Sequence, residues 1–171
     1  MVNVNSKDAK GWTPLWRAAR DGHKAIVKLL LETGKVDINL KDPLYGWTPL
    51  WRAASNEHEA VVKLLLETGK VHVDSKDDHG QTPLFWAAAN GRETIVKLLM
   101  KTGKVDVDSK DRYGQTPLWM AAKNGHEAVV KLLLKTGKVD IDSKDCYGQT
   151  PLWMSAENGH KVIVKLLRSR V

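Results

Sequence analysis

Six histidines, a single cysteine and four Thr-Gly-Lys triplets are the residues here with the chemistry to hold a metal, attack a substrate or cradle a phosphate. His23, His58, His126 and His160 fall at one recurring position. Repeated units stack at helix-packing distance, ~8–10 Å, whereas metal ligands converge to within ~2 Å of one ion. A ladder at that pitch cannot close on an ion. The position instead predicts a helix-start histidine bonded to nearby backbone. His72 and His79 have no partner by motif. The triplets at Thr33, Thr68, Thr102 and Thr136 lack a phosphate loop's earlier glycine and following Ser/Thr, since valine follows each lysine. Cys146 has no catalytic partner in pattern and no second cysteine for a disulfide. No HExxH, GxSxG or CxxC occurs. The residues point away from an enzyme, and no metal or cofactor is expected.

The elements behind these residues repeat. Thr-Pro-Leu recurs at Thr13, Thr48, Thr82, Thr116 and Thr150, at intervals of 35, 34, 34 and 34 residues. The first interval is longer because Pro43-Leu44-Tyr45 replaces a two-residue tip. Thr13 is a good helix N-cap, and Pro14 suits the first helical position, where its missing N–H costs nothing. The helix carries Leu15, Trp16, Ala18 and Ala19 and should stop near Asp21-Gly22, as at Asn90-Gly91, Asn124-Gly125 and Asn158-Gly159. A second helix presents Ile26, Val27, Leu29 and Leu30 as one apolar stripe and ends at Gly34. The stretch Lys35–Gly46 is extended and polar, with a turn at its tip. Paired alanines from Ala18/Ala19 to Ala121/Ala122 let helices approach closely; in the last unit the pair is Ser155-Ala156. One unit cannot bury its stripe alone, but stacked units can.

The pattern D-x-x-G-x-T-P-L-x-x-A-A-x-x-G-H-x-x-[IV]-V-x-x-L-L-x-x-G covers nearly the whole chain and resembles the ankyrin repeat. The resemblance implies an all-α repeat solenoid of helix-turn-helix units with β-turn or hairpin loops. Two features depart from the family. The unit carries an extra residue after its second helix, against the usual length of about 33. The family's histidine after Thr-Pro-Leu is Trp16, Trp51, Phe85, Trp119 or Trp153, so its hydrogen bonds do not carry over. These recurring aromatics are read as scaffold. The longer, tryptophan-bearing unit is also similar to arrays at the C-terminal ends of fungal NACHT-type receptors. A designed or reconstructed array is the alternative that such regular units leave open.

One domain spanning 1–171 is expected: 1–10 as the end of a preceding unit, then 11–45, 46–79, 80–113, 114–147 and an incomplete 148–171. Val2–Asp8 matches Val105–Asp111, and the last helix, Val162–Leu167, keeps the internal apolar pattern instead of turning polar as a cap does. The chain thus reads as a piece of a longer array, or one with weak caps, whose end units open first. A monomer is expected, with end-to-end association through those ends left open.

The formal charge is +7 with a pI near 9.5. The positive charge is dispersed. Lys28, Lys63, Lys97, Lys131 and Lys165 recur on the outer side of the second helix, and Glu59, Glu93 and Glu127 stand four residues before three of them. Lys24 and Lys161 take that place in the first and last units. This pattern suits a solvated surface better than a phosphate track. Non-specific nucleic-acid binding is kept as an alternative, as is a scaffold with no dedicated partner. No apolar run approaches the ~20 residues of a membrane span, Met1–Asp8 is too polar for a signal peptide, and a cytoplasmic setting is expected.

The resemblance implies a concave face made of the tips and first helices, and binding residues are sought where the repeat varies. After the tip glycine come Trp12, Trp47 and Gln81; after the aromatic come Arg17, Arg52, Trp86, Met120 and Met154. Arg20 follows the first alanine pair, and the tips supply Tyr45, His79, Arg112, Tyr113, Cys146 and Tyr147. Trp, Tyr, Arg and Met are interface-enriched types. The expected partner is another protein, bound non-catalytically on this face.

Overall fold

The computed structural model describes residues 3–169; Met1 and Val2 of the expected leading partial unit, and Arg170 and Val171 of the last, lie outside them. Thr-Pro opens a short helix at every recurrence, giving α1 (Pro14–Arg20), α3 (Pro49–Ser55), α5 (Pro83–Ala89), α7 (Pro117–Lys123) and α9 (Pro151–Glu157). In each, the threonine is extended and its hydroxyl accepts from the backbone N–H three residues on, as Thr116 does from Trp119 at 3.2 Å. That satisfies one of the orphan donors of a helix start. The apolar stripes form α2 (Lys24–Glu32), α4 (Glu59–Glu67), α6 (Glu93–Lys101), α8 (Glu127–Lys135) and α10 (Lys161–Arg168). No strand occurs among the described residues. The loop tips are turns closed on an aspartate: Asp111 Oδ1 accepts from the backbone N–H of Tyr113 and of Gln115, both at 2.9 Å.

The first helices lie in one row and the second helices in another, and every sizeable contact is within a helix pair or between adjacent pairs. The core runs between the rows. Leu15, Leu50, Leu84 and Leu118 of the first row are fully buried, as are Val27, Val62, Val96 and Val130 of the second. Each such burial is worth roughly 1.5–3 kcal/mol.

Hydrogen bonds between neighbours repeat along the array. His58, His126 and His160 aim Nε2 at the carbonyls of Arg20, Ala89 and Lys123 in the preceding pair, at 2.8, 2.9 and 2.9 Å. A carbonyl only accepts, so Nε2 carries the hydrogen. The expected histidine-to-backbone bond is present, and it joins units. In the other direction, the indole N–H of Trp16 and of Trp119 donates to the carbonyls of Trp47 and Gln149, at 3.0 and 3.1 Å. Phe85 occupies the same place with no N–H to give.

The histidine dictates the residue before it in space. A Cβ on Gly22, Gly91 or Gly125 would lie 2.6–2.7 Å from the next pair's His58, His126 or His160. Glu57 holds this position at φ 60°, where glycine is otherwise used. It is tolerated because the next pair has Arg92 in place of histidine, and Arg92 Nη2 meets Glu57 Oε1 at 3.0 Å. The outer lysines depart from expectation. Lys97 pairs with Glu93 as foreseen, but Lys63 reaches forward to Glu67 at 3.9 Å; Lys28, for which no earlier glutamate was expected, reaches Glu32 at 3.8 Å.

A third ladder involves Asn5, Asn39, Asp74 and Asp108. The two asparagines donate to the carbonyls of Lys35 and Lys70 and accept from the N–H of Asp37 and His72. Asp74 and Asp108 accept from Asp106 and Asp140 N–H but have nothing to donate, and Oδ1 of each is buried without a partner. Burial is the largest cause pushing both carboxyls above the ordinary value of 3.8. A raised folded-state pKa gives a contribution that is full at low pH and lost as pH rises through it. At neutral pH the two charges therefore weaken the array.

Two outcomes are expected. Asp74→Asn and Asp108→Asn each raise urea-unfolding stability at pH 7 by about 0.5–1 kcal/mol, a modest gain because both side chains are only half-buried, and this gain shrinks at pH 4. The pair of changes Glu57→Gly and Arg92→His, which restores the glycine–histidine contact, stabilises by about 1 kcal/mol. Gly91→Ala alone destabilises by at least that much, measured in the same way.

Candidate functional site

Tips of successive pairs are joined by main-chain bonds: Asp78 N–H to Tyr45 carbonyl, Arg112 to His79 and Cys146 to Tyr113, at 3.1, 3.1 and 2.8 Å. These bonds hold the tip side chains in register. Pro43 occupies the donor position of the second tip and has no N–H. The ladder is missing its first rung, and the Pro43 ring instead packs against Gly11 of the first tip, where a Cβ would lie 2.6 Å from it. A cleft of about 770 Å³ opens there.

Aromatic rings and guanidinium groups build its floor. Trp12 stacks on Trp16 with centroids 4.7 Å apart, and Tyr45, Trp47 and Trp51 stack in series at 4.5 and 4.4 Å. Arg20 lies over Trp12 and Trp16, at 5.1 and 5.9 Å, and Arg52 over Trp16 and Trp47, at 5.7 and 5.0 Å. Cations over tryptophan faces gain roughly 0.5–2 kcal/mol each. Trp51 leans on Trp86 at 5.9 Å, which carries the series into the third pair.

Charges at this end are unevenly matched. Arg17 pairs with Asp8 at 2.7 Å and Arg20 with Asp21 at 2.6 Å. Backbone N–H bonding from Trp12 is the first cause holding the Asp8 carboxyl low, and the Arg20 hydrogen bond does the same for Asp21. Arg52 has no ion pair or side-chain hydrogen bond among the described residues, and its Nε is buried. Burial first, then the Arg20 charge, lower its pKa.

The structure brings Trp12, Arg20, Tyr45, Trp47 and Arg52 together at the cleft. Arg17 stands beside Trp12, at 5.5 Å from its ring. Trp86 and Met120 are half-buried on the first-helix row, and Gln81 is half-buried beside its tip. His79, Arg112, Tyr113, Cys146 and Tyr147 are exposed at the tips, Tyr147 to 76%. Met154 departs from the expectation of an exposed contact: it is only 6% exposed. Its unbranched apolar chain folds onto the array and does not project from it. Trp153, read as scaffold, is instead 45% exposed, because no following pair among the described residues covers it. Lys10, Pro43 and Leu44 also line the cleft but stood outside the expected site. Their signal was the irregular tip sequence. Lys123, 5.2 Å from the Trp119 ring, was likewise missed.

Among the described residues, no group of histidine, cysteine or acidic side chains is placed to hold a metal ion, and no helix is long and apolar enough to cross a membrane. No curated protein matches the chain. A family model for ankyrin repeats matches it in three copies, over residues 1–77, 35–111 and 103–170. With that match spanning the sequence, and capped helix pairs stacked in two rows beneath it, the chain belongs to the ankyrin repeat family.

Proposed function

We propose that the chain is a non-catalytic protein-interaction module whose partner lies across the tips and first helices, on the concave face the family leads one to expect. Ankyrin repeats are in general protein–protein interaction modules. The observation that carries the reading is the row of accessible aromatic and thioether side chains on one face: Tyr45, Trp86, Tyr113, Met120 and Tyr147. Tip-to-tip bonds and threonine caps order that face before any partner arrives, so little entropy is lost on binding. The unpaired cysteine, Cys146, suits a reducing intracellular setting. Lysines on the outer helices pair with glutamates, which speaks against a continuous phosphate track.

The test compares three forms of the chain as bait in lysate at moderate salt: the parent, a variant with Trp86, Tyr113 and Met120 as alanine, and one with Lys97 and Lys131 as glutamine. A partner held by the parent and the lysine variant but lost from the alanine variant is the expected outcome, with affinity falling by about 1–3 kcal/mol per anchor. A partner that survives the alanine changes and is lost with the lysines contradicts the reading.

A further inference from the structure

The cleft between the first two tips lies on the proposed face, and its partner chemistry rests on that reading. Three of its lining residues are cationic, Lys10, Arg20 and Arg52, and none is acidic. The nearby carboxylates are already engaged. Asp8 pairs with Arg17, Asp21 pairs with Arg20, and Asp42 accepts from the N–H groups of Leu44, Tyr45 and Trp47. Two donors remain unmatched, the buried Arg52 Nε and Trp12 Nε1. A buried donor without an acceptor is costly, and most of all when the group is charged. Arg20 and Arg52 also share one ring, at 5.9 and 5.7 Å from the Trp16 centroid, and of the two only Arg20 has an ion-pair partner among the described residues.

We propose that this cleft binds an acidic peptide segment, one carboxylate meeting Arg52 beside Arg20, with an aliphatic neighbour against Pro43 and Leu44. A guanidinium and a carboxylate form the strong, directional pair that a half-buried arginine lacks here. Pro43 and Leu44 are exposed and supply the apolar wall. A nucleic-acid base fits less well. Trp12, Trp16 and Trp47 already stack on one another, on Tyr45 or under the arginines, which leaves little open ring face for base stacking.

The probe is an end-blocked Gly-Leu-Asp-Leu-Gly peptide, with Gly-Leu-Asn-Leu-Gly as its neutral match, titrated against the intact chain. Indole N–H signals of Trp12 and Trp47 report on the cleft by NMR. The Asp peptide is expected to shift them saturably and to bind about tenfold more tightly than the Asn peptide. Arg52→Gln is expected to erase that difference, whereas Lys131→Gln, which removes one positive charge from the exposed outer helix, keeps it. Arg20→Gln provides a second variant with the same expectation if R52Q does not fold. Equal affinity for the two peptides, or an Asp preference that persists in a folded R52Q or R20Q chain, overturns the proposal. Tighter Arg52-dependent binding of a thymidine pentanucleotide overturns it in favour of nucleic acid. None of these results depends on Trp86 or Tyr113, so failure here is separable from failure of the wider binding face.

Discussion

A first helix of seven residues and a second of nine cannot enclose the apolar stripe they carry. The stripe is dry only when the next pair lies against it, and this dependence on neighbours shapes the rest of the molecule. Val61, Ile95 and Val129, flanked by pairs on both sides, are each only 1% exposed. Where one side is open, apolar groups stay wet: Ile26 and Leu29 are 48% and 64% exposed, Trp153 and Val162 45% and 44%. Directional bonds set the spacing that burial alone would leave loose. Histidine reaches back to one carbonyl, tryptophan reaches forward to another, and each link fixes what the adjacent pair can contain. Gly91 is small because His126 rests on it; Glu57 is large because Arg92 comes to meet it.

The binding surface follows from the same arrangement. Each pair contributes a tip and a short helix to one face, and main-chain bonds between tips hold the register. Residues there are released from scaffold duty and differ between pairs. Tryptophan and arginine dominate the first two, with tyrosine and methionine farther on. A single proline changes the local shape. With no N–H to give, Pro43 makes no main-chain bond to the first tip, and it lines a cleft floored by rings and cations.

Local signals were the most legible in the sequence. Thr-Pro at helix starts and Gly at helix ends act within a few residues, so they placed the first helix of each pair, and the apolar stripes placed the second, throughout the described residues. Interactions with the neighbouring pair were harder to read. The histidine was expected to find backbone nearby, yet its carbonyl lies about one repeat earlier in the chain. Nothing in the periodicity showed that indole N–H groups reach the carbonyls of the next pair, or that Asp74 and Asp108 stand where Asn5 and Asn39 make an extra bond. Met154 was misplaced because sequence position fixes where a side chain starts, not which way a flexible one turns. The cation-over-ring floor was assembled from residues the sequence did single out, but their convergence needed the fold.

Native-state amide exchange resolved along the chain tests the account most directly. If stability comes from neighbours, protection should be highest in α4 to α7, lower in α1, α2, α9 and α10, and pass between these levels in steps the size of a helix pair. Uniform protection from α1 to α10 would contradict the account, since it would mean that the array opens as one unit and that flanking pairs add nothing to the stability of those between them.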